Sequence, residues 1–156
     1  MSEKERPTYQ DIEEMVNALA DRLRGEHFDA MMVITRGGMI PGSILGYRLG
    51  IRNILVAAVE FYDDETGKPA HAPTFLQFPA DPLLRAQRIL VVDEVWDSGK
   101  TIESVVQRVR MASGTPVTCV LHYKPGNSKV DALPDYHARA TNAWIVYPWS
   151  GHVQKD

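Results

Sequence analysis

The stretch Arg88-Ile-Leu-Val-Val-Asp-Glu-Val-Trp-Asp-Ser-Gly-Lys-Thr101 joins an apolar run to an amphipathic one through three acids and a Ser-Gly-Lys-Thr turn. Ile89 to Val92 are apolar and rich in β-branched residues, as a buried strand requires. Ile102, Val105, Val106 and Val109 then fall at helical spacing. Residues 93–101 are therefore expected to form the loop at a strand's carboxyl end, where open α/β sheets bind ligands. Backbone N–H groups and hydroxyls of Ser98, Gly99 and Thr101 would face an anion at the helix N-terminus, where the dipole also favours negative charge. A Walker A loop ends in the same Gly-Lys-Thr, but it needs a glycine five residues before Gly99, and that position is Glu94, whose carboxylate would repel phosphates. Asp93 and Glu94 are better suited to ribose hydroxyls, directly or through a metal, with a terminal phosphate held by the loop beyond them. The plain alternative is an ordinary loop with solvated acids and a capped helix, which does not require the acids and the phosphate-type turn to occur together.

Outward from this stretch, helix and strand patterns alternate, the signal for a mostly parallel sheet covered on both faces. Thr8 can cap a first helix with Asp11 as its capping-box partner, and Ile12, Met15, Val16, Leu19 and Leu23 give that helix an apolar stripe ending near Gly25. Ala30 to Ile34 reads as a strand. A second helix has Pro41 near its first turn, carries Ile44, Leu45 and Leu49 inward and stops at Gly50. Ile54 to Val59 is the next strand. Residues 60–87 interrupt the alternation with four prolines, Gly67 and the acidic run Asp63-Asp64-Glu65. They are expected to be a mobile lid, with a short strand at Thr74 to Phe78. Further strands are expected at Val117 to His122 and at Ala143 to Val146. The 156 residues make a single domain able to bury its own core.

A second chemical motif, Thr35-Arg36-Gly37-Gly38-Met-Ile-Pro-Gly42, also follows a strand and precedes a helix. Its glycines allow close backbone approach to a ligand, and Arg36 offers a planar fork of donors for phosphate oxygens. Taken alone it is equally a tight turn with a solvated arginine. A third set is Lys124 after the strand ending near His122, together with Trp144-Ile145 and Pro148-Trp149. An indole can stack on a flat heterocycle, and a lysine ammonium can only donate, which selects a ring bearing an exocyclic oxygen. By themselves Trp144 reads as a core aromatic and Lys124 as a surface charge.

Val91-Val-Asp-Glu-Val-Trp-Asp-Ser-Gly-Lys-Thr101 resembles the phosphoribosyl-pyrophosphate (PRPP) signature of type I phosphoribosyltransferases. Thr35-Arg36-Gly37-Gly38, Pro41-Gly42, Leu49-Gly50-Ile51-Arg52, Tyr-Lys-Pro-Gly around Lys124 and Trp-Ile-Val-Tyr-Pro-Trp from Trp144 are similar to the bacterial xanthine-guanine and hypoxanthine-guanine branch. The resemblance implies a type I phosphoribosyltransferase fold, an α/β sheet with helices on both faces and a lid or hood. It implies transfer of phosphoribose from PRPP to an oxopurine, assisted by Mg2+ bound at Asp93 and Glu94. Asp97, Ser98, Gly99, Lys100 and Thr101 are then expected at the 5'-phosphate, with Asp97 also handling a proton on the purine. Thr35, Arg36, Gly37 and Gly38 are expected at pyrophosphate, with a cis peptide at Thr35-Arg36. Lys124 would meet the 6-oxo group, Trp144 would stack on the base and the Ile145 carbonyl would meet its 2-position. Ser150 stands where the xanthine-guanine enzymes carry an acid, which leaves hypoxanthine, guanine and xanthine open. A homodimer or homotetramer is the implied assembly.

A net charge of -3 without a basic cluster argues against a nucleic-acid partner. A regulatory protein of the same fold that senses PRPP or nucleotide would need such a surface, and residues 1–28 offer one helix and few basic residues. Transfer to another base is disfavoured by Lys124 and Trp144. With no secretory apolar segment, no run near the roughly 18 residues of a membrane span and a lone Cys119, a cytoplasmic location without a membrane partner is expected. Cys119 reads as a core thiol. His27, His71, His122, His137 and His152 show no paired metal spacing.

Overall fold

The structure, a computed structural model, describes residues 3–62 and 69–150. A short strand β1 (Lys4–Glu5) precedes helix α1 (Tyr9–Leu23), strand β2 (Ala30–Ile34), helix α2 (Met39–Leu49) and strands β3 (Ile54–Tyr62) and β4 (Pro69–Gln77). A 3-10 turn at Asp81–Leu83 leads to β5 (Arg88–Trp96), α3 (Lys100–Met111), β6 (Thr115–Tyr123), β7 (Tyr136–Ala140) and β8 (Trp144–Ile145). The capping box expected at α1 forms completely. Thr8 Oγ1 accepts from the Asp11 N–H at 3.1 Å, and the Asp11 carboxylate accepts from the Thr8 N–H at 2.8 Å, so two otherwise orphaned donors are satisfied. Gly50 ends α2 in the left-handed conformation, φ 68°, which costs glycine little.

Six strands form one sheet in the order β4-β3-β2-β5-β6-β7, all parallel except β4 against β3. Alternating side chains divide the core between its faces. Met31, Val33, Leu90, Val92, Cys119 and Leu121 pack with α1 and Leu45 of α2. Met32, Ile34, Ile89, Val91 and Val120 pack with Ile102, Val105 and Val109 of α3. From β2 the chain runs outward through α2 to β3 and β4, then crosses back to β5 on the other side of β2. That reversal opens a crevice between the carboxyl ends of β2 and β5.

Three expectations need correction, and one strand was not expected. Residues 93–96 are strand, not loop: β5 continues beyond its apolar run because β6 pairs with it as far as Trp96↔Tyr123, so the ligand loop shrinks to Asp97–Gly99. Among its described residues, the excursion at 60–87 holds more regular structure than expected. Its strand is β4, longer than the expected Thr74 to Phe78, and it folds back on β3 with Val59↔Phe75 and Glu60↔Thr74 paired. Pro69 and Pro73 lie in that edge strand, where a missing donor costs least, while Leu84 is fully buried and Arg108 pairs with Asp81 at 2.6 Å. Residues 63–68, with the acidic run and Gly67, lie outside the described residues. The third correction is β8, which covers only part of Ala143 to Val146 and joins β1 in a separate two-stranded ribbon. Finally β7, Tyr-His-Ala-Arg-Ala, is an unanticipated edge strand of the main sheet.

Candidate active site

The crevice has a volume of about 650 Å³ and is lined by Thr35, Arg36 and Gly37 from the β2–α2 turn, Asp93 to Gly99 and Thr101 from the β5–α3 segment, and Tyr147 and Trp149 from beyond β8. Val33 pairs with Val92, so the chain leaving β2 runs beside Asp93 and Glu94. The Thr35-Arg36 peptide is cis, as the resemblance implies. A Cβ on Gly37 would overlap the Glu94 carboxylate, and one on Gly38 would stand 2.6 Å from the Ile34 carbonyl oxygen and overlap that of Val92. Both glycines are therefore needed for close packing.

At α3 the cap residue is Gly99 in the left-handed conformation, φ 82°, and no side chain caps the helix. The Lys100 N–H reaches Ser98 Oγ at 3.3 Å; the other amides of this first turn are open to an anion at the positive end of the helix. Thr101 lines the crevice, whereas Lys100 is exposed and absent from its lining.

Asp93 is buried at 9% exposure and accepts from the Glu94 N–H at 2.8 Å. Desolvation, reinforced by repulsion from Glu94, holds its carboxyl well above the ordinary carboxylate range. The Glu94 backbone carbonyl accepts from the Tyr147 hydroxyl at 3.0 Å. That hydroxyl has one proton, so the fully buried His122 must donate to it from Nδ1 at 2.8 Å. Burial pushes the His122 pKa down to about 4, leaving a neutral ring whose Nε2 has no hydrogen-bond partner.

The residues expected at the base come together at the end of β6. Lys124 is 4% exposed, and its Nζ lies 3.7 Å from Asp97 Oδ2 and 5.5 Å from the centre of the Trp144 ring. Trp144 itself is 58% exposed. Asn127 Nδ2 donates to the other Asp97 oxygen at 2.9 Å, and the Lys129 N–H donates to the Ser98 carbonyl at 2.8 Å, so the loop after Lys124 braces the Asp97–Gly99 turn. Ile145 follows Trp144 in β8 and is half-buried. Sequence reading missed Asn127, Tyr147 and the His122–Tyr147 link. Only the nearness of Asn127 to Lys124, and of Tyr147 to Trp144, could have drawn attention to them. Cys119 is buried in the core as expected, with burial raising its thiol pKa to about 12. Among the described residues no cluster of three or more His, Cys, Asp or Glu could hold a metal ion by itself, and no helix is long and apolar enough to cross a membrane.

A family model described as the phosphoribosyl transferase domain matches residues 4–156. The chain belongs to the phosphoribosyltransferase family. It is 34% identical over 146 residues to a xanthine-guanine phosphoribosyltransferase from Ruegeria sp., covering 88% of this chain and 80% of the relative. It is also 30% identical over 132 residues to an adenine phosphoribosyltransferase from Geobacter metallireducens, covering 80% and 75%. The crystal structure of a purine phosphoribosyltransferase from Pyrococcus horikoshii Ot3 superposes with a TM-score of 0.85 at 31% identity, covering 98% of both chains. The type I phosphoribosyltransferase architecture expected from the PRPP signature is thus the architecture found.

Proposed function

We infer that this phosphoribosyltransferase family member acts on oxopurines, converting PRPP and hypoxanthine, guanine or xanthine to the nucleoside 5'-monophosphate and pyrophosphate. The observation that carries this reading is Lys124, a buried ammonium beside Asp97 and an exposed Trp144 ring. A group that can only donate suits the 6-oxo oxygen of an oxopurine and leaves the 6-amino group of adenine without an acceptor. An indole left largely in solvent is available to stack on a base. Relatives named for both purine types make this residue, rather than family membership, the deciding point.

Displacement at the anomeric carbon passes through an oxocarbenium-like state, so the site must manage charge more than supply a nucleophile. The 5'-phosphate is assigned to the turn Asp97 to Thr101 and the amides opening α3. Lys100, exposed and outside the lining, contributes its backbone and long-range charge. Arg36 and the amides of Gly37 and Gly38 receive the charge that develops on departing pyrophosphate. Asp97 takes the proton that the purine imidazole ring loses on forming its glycosidic bond. The ribose hydroxyls donate to Asp93 and Glu94, and the β3–β4 hairpin, whose Val59 lines the crevice, is the element to shield the site from water.

The acidic pair fits Mg2+. The Glu94 carboxylate packs directly on Gly37, where pyrophosphate is assigned, and two anions share that space favourably only with a cation between them. Asp93 and Glu94 supply too few donors to hold an ion alone, as suits a metal that keeps several waters and binds together with substrate oxygens. When bound, it would neutralise charge on the leaving group.

Lys124→Ala tests the assignment. Deleting one donor to an oxo group should raise the KM for the oxopurine at least tenfold, with PRPP affinity within about twofold of the parent. Collapse of PRPP affinity at unchanged base KM would place Lys124 elsewhere.

A further inference from the structure

The base-stacking Trp144 lies in β8, and the only strand pairing β8 among the described residues is β1. The Trp144 N–H donates to the Glu3 carbonyl and the Val146 N–H to the Glu5 carbonyl, each at 2.8 Å. With 58% of Trp144 exposed, its position depends on the backbone that carries it more than on packing around its ring. Besides the packing of Ile145 and Tyr147 on the core, the ribbon is tied down by the side chain of Glu5. Its Oε1 accepts from Thr141 Oγ1 at 2.5 Å, and its Oε2 lies 3.7 Å from Arg139 Nη1 and 3.9 Å from His122 Nε2. Those three residues sit at or just beyond the carboxyl ends of β6 and β7. His122 in turn reaches Tyr147 and, through the Tyr147 hydroxyl, the Glu94 carbonyl. Through Thr141 and Arg139 one carboxylate thus ties the ribbon to the carboxyl end of β7, beside a His122 whose Nε2 it faces without a hydrogen bond.

We propose that Glu5 is a positioning residue for the base pocket, fastening the β1–β8 ribbon so that Trp144 and Ile145 stand opposite Lys124 with the spacing of a purine. The proposal rests on the oxopurine reading for the identity of the ligand, but the fastening itself does not. Along β8, successive residues turn their backbone polar groups to opposite sides. Trp144 and Val146 point theirs at β1, so those of Ile145 face away from it and are free for the base edge.

The test combines kinetics with amide hydrogen exchange in Glu5→Ala, Glu5→Gln and Thr141→Val. Loss of a charge-assisted bond in Glu5→Ala should speed exchange of the Trp144 and Val146 amides roughly tenfold and raise the base KM by a similar factor. The KM for PRPP should change by less than about twofold, since the phosphate turn is braced separately by residues 127–129. Glu5→Gln keeps an acceptor for Thr141 and brings a donor toward the unpaired His122 Nε2, so it should restore most of the base affinity. Thr141→Val, which leaves β1 unaltered, should shift both readouts in the direction of Glu5→Ala. Unchanged exchange at Trp144 and Val146 in Glu5→Ala, or equal rises in the KM of base and PRPP, would overturn the proposal. If the parent enzyme turned over no oxopurine, the functional reading would fall while the exchange measurement still decided whether Glu5 holds the ribbon.

Discussion

Asp97 is held from two sides before any ligand arrives, by the Asn127 amide on one oxygen and the Lys124 ammonium near the other. Both donors orient the carboxylate assigned to accept the purine proton. Asp97→Asn keeps the shape and removes that capacity, so kcat should fall by roughly a hundredfold or more while PRPP still binds. Rapid-quench turnover together with a PRPP titration measures the two effects separately, and a variant as fast as the parent would remove Asp97 from proton transfer. Lys124 and Trp144 show what a residue-level reading can and cannot find. Composition alone places a tryptophan inside and a lysine outside, and the structure reverses both. Local sequence carries no term for the carboxylate and the ring that hold a lysine in place, so the inversion was legible only through the resemblance.

Strand, turn and helix units set the next level, and here the apolar periodicities served well for β2, α1, α2 and α3 and poorly for strand ends. β5 runs four residues past Val92 because ladder bonds to β6 outweigh the cost of placing two acids in a strand. β7 has no continuous apolar face to detect; its pairing partner β6 and its contact with α1, including Arg22 to the His137 carbonyl at 2.9 Å, define it. The β2–α2 turn is constrained by backbone contact. In Gly38→Ala the new methyl would press on the Ile34 and Val92 carbonyls, which belong to adjoining strands and have little room to move. Overpacking of this kind costs about 1–3 kcal/mol, and each kcal/mol lowers Tm by about 2–4 °C in a chain of this size. Calorimetry should show that loss, with PRPP affinity weakened alongside it. A variant matching the parent in both would mean that the turn adapts more easily than this packing implies.

For the whole molecule, three short motifs far apart in sequence meet at the point where strand order reverses, between β2 and β5 and at the end of β6. The alternation of patterns predicted the parallel sheet, but strand order emerges only from the fold, and with it the fact that Arg36, Glu94 and Asp97 share one crevice. The β1–β8 pairing was illegible for the same reason: a strand was expected around Trp144, but the two-residue β1 has no periodicity to read and its partner emerges only from the fold. The central claim, that this crevice joins phosphoribose to an oxopurine, is tested most directly by product mass. The protein is incubated with PRPP, Mg2+ and hypoxanthine, guanine, xanthine, adenine or a pyrimidine in turn. The account predicts nucleoside 5'-monophosphate and stoichiometric pyrophosphate with at least one oxopurine and little with adenine or pyrimidines; preferential formation of adenosine monophosphate, or no product from any oxopurine, would contradict it.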